Sequence, residues 1–136
     1  MIKQIVKDTT FLQQRSTPAS KADLQVGADL QDTLMANRDH CVGMAANMIG
    51  IKKRVIIAMI GPFPVLMFNP VITKKSGKYE TEEGCLSLTG ERPTTRYEKI
   101  TVKFRDKDWK EQELPLEAFP AQIVQHEIDH CDGILI

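Results

Sequence analysis

The sequence predicts an α+β fold, with antiparallel or mixed β-sheet gathered between an N-terminal helix and a C-terminal helix. Three observations carry this. β-rich runs cluster between residues 54 and 116, helical signals are confined to the two flanks, and no βαβ alternation calls for a doubly wound parallel sheet. At 136 residues the chain reads as a single domain, 1–136, able to bury about two-thirds of the surface its unfolded form exposes.

After an N-terminal segment containing Pro18, the stretch Ser20 to Asn37 is predicted to be helical. Ser20 offers an N-cap with Asp23 three residues on, and Val26, Leu30 and Leu34 recur at helical spacing, although Gly27 weakens the pattern. His40 to Gly50 reads as a small-residue loop. Arg54 to Ile60 and Val65 to Val71 read as strands joined by a turn at Gly61 and Pro62. A second turn is expected over Lys74 to Lys78, around Ser76 and Gly77, with a new strand from Tyr79 to Leu88. Ile100 to Phe104 alternates in and out, and Asp106 to Asp108 turns it back into Trp109 to Leu116 as a hairpin. Pro120 opens the last helix, and Gly133 ends it.

Composition narrows the function. Lys+Arg and Asp+Glu are both 18 and scattered, so neither a nucleic-acid partner nor an anionic membrane is expected. The first eight residues are too polar for a signal-peptide core, and the apolar stretch from Val55 to Met67 is cut by Gly61, Pro62 and Pro64. A soluble, cytoplasmic protein is expected. Three cysteines suit thiol or metal chemistry better than a disulfide framework.

The chemistry concentrates in Gln125-His126-Glu127-Ile128-Asp129-His130. On a helix, residues i and i+4 share a face, so two imidazoles can grip one metal ion while the intervening Glu leans toward water. Only six residues follow His130, so a third protein ligand is expected upstream, and Cys85 in Glu83-Gly84-Cys85-Leu86-Ser87 is the best candidate. Three protein donors leave a position open for water, as catalysis requires. Singly, each has an ordinary alternative, as a polar helix residue or a small buried thiol; the combination favours a metal site.

Gly43-Met44-Ala45-Ala46, the Glu83–Ser87 run and the Gln125–His130 run, in that order, resemble the three signatures of the peptide deformylases, over nearly the whole chain. That family removes the formyl group from the N-terminal methionine of new bacterial and organellar proteins. The second and third motifs match residue for residue. The first departs from its pattern, with Cys41 replacing a glycine and Met48 replacing a glutamine, and the chain ends without the longer C-terminal helix of one branch. The resemblance implies a deformylase-like fold around the HExxH helix. It implies Cys85, His126 and His130 as ligands of one divalent ion, Fe²⁺ in the cell with Zn²⁺, Ni²⁺ or Co²⁺ as substitutes. Glu127 is implied as general base and later general acid, with the Leu86 backbone N–H and the position of Met48 at the oxyanion.

Val42, Gly43, Phe119 and Ile123 are implied as substrate-binding positions, with Val42, Phe119 and Ile123 equally readable as core, and Arg92 as ordering the ligand loop. The implied partners are formyl-Met peptides, presented by nascent chains at the ribosome. A thioether has no proton to donate, so Met48 implies reduced turnover, with Asn47 as a possible substitute donor. His40 and Cys131 read as exposed or structural. The alternative is an impaired relative that keeps the ion and binds peptide N-termini or a partner.

Overall fold

The structure, a computed structural model, describes residues 1–85 and 88–135. One five-stranded sheet, every neighbouring pair antiparallel, runs in chain order: β1 (Gly43–Ala45), β2 (Val55–Ile60), β3 (Phe63–Cys85), β4 (Leu88–Arg105) and β5 (Glu111–Glu117). Helix α1 (Thr9–Leu12) and helix α2 (Leu24–Ala36) precede the sheet, and helix α3 (Ala118–Cys131) follows it. The α+β expectation holds, in its antiparallel form.

β2 explains how two helices share one sheet. Its side chains alternate between faces. Ile56 and Ala58 point into a core built with Ala121, Val124 and Ile128 of α3 and with Met67, Ile100 and Val102. Val55 and Ile57 point into a second core with Leu30 and Leu34 of α2, Met44 and Phe68. Truncating Leu30 or Leu34, both fully buried, to alanine costs about 2–5 kcal/mol. Gly27, which weakened the helical pattern, sits where α2 meets β3. A Cβ there would lie 2.6 Å from both Leu66 Cδ2 and Phe68 Cζ, so tertiary packing overrides helix propensity.

Several expectations are corrected. Lys74 to Lys78 is not a turn. β3 runs through it, with Ser76 paired to Lys99 and Lys78 to Tyr97. Gly77 stays in the ladder at φ +76°, where a Cβ would approach Glu98 Cβ to 2.9 Å, so the glycine serves a bent cross-strand contact. β4 begins at Leu88, well before the expected Ile100, and pairs with β3 along almost its whole length. The loop expected over His40 to Gly50 contains β1, paired to β2, followed by a 3₁₀ turn at Ala46–Ile49. The N-terminal segment contains α1, whose first turn donates to Asp8. The other elements fall close to expectation. Lys21–Asp23 forms a 3₁₀ turn leading into α2, and the Ser20 N–H donates to Asp23. The β4–β5 hairpin turns on Asp106, which accepts from the N–H groups of Asp108 and Lys110. β5 begins at Glu111 because Trp109 takes φ +61° in that turn. α3 begins two residues before Pro120. No helix is long and apolar enough to cross a membrane among the described residues.

Candidate active site

β3 ends at Cys85, directly against the inner face of α3. On that helix His126, Glu127 and His130 are 7%, 5% and 0% exposed, so the HExxH face points inward. The donor atoms of Cys85, His126 and His130 all lie within 4.8 Å of one another. Cys85 Sγ is 3.1 Å from His130 Nε2, and the two imidazole centroids are 5.1 Å apart. Soft thiolate and imidazole donors suit zinc or ferrous iron, and the spacing fits a single ion.

The support of these groups is what sequence reading missed. Glu83 lies two residues before Cys85 on the same strand and is 7% exposed. Its Oε1 accepts from His126 Nδ1 at 2.8 Å and from Arg96 Nη2 at 2.7 Å, and its Oε2 accepts from Gln122 Nε2 at 2.8 Å. The bond to Nδ1 fixes the His126 tautomer and leaves Nε2 for an ion, as outer partners of metal-binding histidines do. Arg96 in turn donates to Asp129 at 2.7 Å, so strands β3 and β4 and helix α3 are tied together under the site. A signal was available: Glu83 and Cys85 are an i, i+2 pair in a strand, and Asp129 stands three residues after His126 on the helix. Arg92, the arginine singled out from the sequence, pairs across from Glu83 in the ladder.

Electrostatics follow from this burial. Desolvation pushes Glu83 upward, but the hydrogen bonds from His126, Arg96 and Gln122 outweigh it and hold its pKa down at about 2. Burial, aided by the His126 and Arg96 charges, lowers His130 to about 3 and keeps its imidazole neutral. Burial would also lower His126, yet its contacts with Cys85, Glu127 and Glu83 raise it to about 10. Glu127 is raised to about 7, foremost by burial, and its Oε1 has no hydrogen-bond partner among the described residues. A buried orphan oxygen beside three convergent donors is a group poised for a reactant.

A cleft of about 580 Å³ opens over Glu127, within the usual range of small-ligand sites. Val42 and Gly43 form one wall, the end of β3 another, and Phe119, Gln122 and Ile123 line it from α3. Val42 and Phe119, 41% and 57% exposed, belong to the cleft and not to the core, whereas Ile123 serves both. Gly43 leaves room for the Glu127 carboxylate: a Cβ there would lie 2.8 Å from Glu127 Oε2 and 2.6 Å from Ile123 Cγ2.

The other singled-out residues lie around the donors, Met48 in the core that Cys85 packs against. Met48 is 1% exposed in the α2-side core, does not line the cleft, and accepts the Ala45 N–H on Sδ at 3.5 Å. Asn47 is also buried, its amide tied to the His130 carbonyl at 2.9 Å. Cys41 lines the cleft with its thiol on the Gly43 carbonyl, and burial pushes its pKa up to about 12. Cys131 is a buried core thiol and His40 an exposed residue at the cleft. Leu86 lies outside the described residues.

Fold and donor set together place the protein in the class of metallohydrolases. Within that class it belongs to the polypeptide deformylase family, whose model matches residues 2–136. It is 54% identical over 136 residues, all of both chains, to a peptide deformylase of Clostridium beijerinckii. It is 34% identical to one of Dictyoglomus thermophilum, over all of this chain and 91% of that protein. The Met-Ala-Ser-bound crystal structure of class I type b peptide deformylase from Acinetobacter baumannii shares the fold with a TM-score of 0.89. The two are 32% identical, with 99% of this chain and 97% of that one covered.

Proposed function

We propose that Cys85, His126 and His130 hold one divalent ion, Fe²⁺ in the cell, and that Glu127 moves the proton as the protein removes the formyl group from N-terminal formyl-methionine. The carrying observation is the convergence of those three donors beside a buried Glu127 oxygen that has no hydrogen-bond partner among the described residues. When bound, the ion supplies Lewis-acid chemistry, polarising the formyl carbonyl and making water more acidic. Glu127 accepts a proton from the attacking water as its oxygen bonds to the formyl carbon. It returns the proton to the amine nitrogen as the C–N bond breaks, releasing formate and a free N-terminus.

β1 is an edge strand with β2 on one side only, so an extended peptide can add alongside it near Val42 and Gly43. Its first side chain then meets the apolar wall of Val42, Phe119 and Ile123. Formyl-methionine heads nascent chains, so the substrate emerges from the ribosome in the bacterial cytoplasm. At Met48 the thioether offers no donor to the developing oxyanion, which limits turnover. The test is formate release from formyl-Met-Ala by anaerobically purified protein of known metal content. Glu127→Gln should keep the ion and the fold and abolish release; unchanged release in that variant moves the base elsewhere.

A further inference from the structure

Gln122 interrupts an otherwise apolar stretch of the cleft wall, between Phe119 and Ile123. Its Nε2 donates to Glu83 Oε2 at 2.8 Å. An ionised carboxylate only accepts, so this bond decides which end of the amide faces which way. Oε1 must point away from Glu83, and among the described residues it has no hydrogen-bond partner. Glu83 is itself locked by Arg96 and His126, so the Gln122 amide is held by a rigid anchor, and its acceptor has a fixed position.

We infer that Gln122 is a specificity-determining residue, whose Oε1 gives the pocket for the first side chain one fixed hydrogen-bond acceptor. The ligand class this adds is formyl-peptides whose first side chain has about the length of methionine and carries an N–H at its tip. The inference rests on the proposed function, in which Val42, Phe119 and Ile123 wall that pocket. A purely apolar pocket would leave such an N–H unpaired and reject it, whereas a positioned acceptor removes that penalty.

The test compares formyl-Gln-Ala with formyl-norleucine-Ala, side chains of similar length of which only the first has N–H donors. In Gln122→Leu the ratio of their kcat/KM values should fall about 3–10-fold, the worth of one neutral hydrogen bond. General damage to the site cancels in that ratio. Gln122→Met, unbranched and of matching length, provides the same comparison if the leucine variant folds poorly or loses its ion. A ratio within about two-fold of the parent in both variants, or equal losses on both substrates, overturns the inference. Failure of the proposed function is separate: the ion-loaded parent itself would then release no formate from formyl-Met-Ala.

Discussion

Glu83→Ala tests whether the network under the histidines holds the fold. Glu83 and Arg96 are 7% and 4% exposed in their side chains and meet at 2.7 Å. Removing the carboxylate leaves a buried guanidinium with Asp129 as its remaining acidic partner, at 2.7 Å. Breaking a buried pair from one side costs about 3–5 kcal/mol, and the surviving Asp129 contact places this case at the lower end, about 3 kcal/mol. Unfolding entropy of about 2.1 cal/mol/K per residue gives about 0.29 kcal/mol/K for 136 residues. The melting temperature should therefore drop by about 10 °C. Calorimetry on chelator-stripped protein is the assay, because a bound ion adds its own stabilisation. Replacing both residues, as Glu83→Leu with Arg96→Leu, should cost less than the two single changes summed, by about 1.5–3 kcal/mol. A single variant within about 1 kcal/mol of the parent, or strictly additive changes, would refute the reasoning.

Three further outcomes are expected. Cys85→Ala should lose the single tightly held divalent ion, and stoichiometric metal in that variant by elemental analysis would remove Cys85 from the ligand set. Gly43→Ala should retain the ion but lower kcat by about 10²-fold, because the new methyl displaces Glu127 and misplacement of about 1 Å carries that penalty; kcat within a few-fold of the parent would show that Glu127 has slack. Met48→Gln should raise kcat on formyl-Met-Ala by about 10-fold with KM little changed, below the ceiling of about 10²–10³ for one full oxyanion donor. No gain, in a variant that folds and holds its ion, would mean that position 48 does not limit turnover. The double change with Cys41→Gly restores both departures in the first motif and is the stricter form of this test.

The sequence by itself determined which side chains supply the convergent donors of the candidate site. The spacing of His126 and His130 is a helical turn in any context, the Glu83–Ser87 run supplies the thiol, and the local alternation of β2 and of Ile100 to Phe104 marks strands wherever they pack. What it could not determine depends on contacts between distant segments. Ser76 and Gly77 carry turn chemistry, yet the pairing of Ser76 to Lys99 and of Lys78 to Tyr97 keeps the segment in a strand. The same long pairing makes residues 88–99 a strand despite Gly90 and Pro93. Gly27 looked like a weakness until Leu66 and Phe68 occupied the space beside it. Glu83, Arg96, Gln122 and Asp129 are separate polar residues along the chain. Only folding β3 and β4 against α3 joins them into one buried network, because charged groups are retained there only where each finds its partners. Tertiary packing likewise sent the Met48 side chain into the α2-side core, where its apolar length is buried, and tied Asn47 to the backbone of His130.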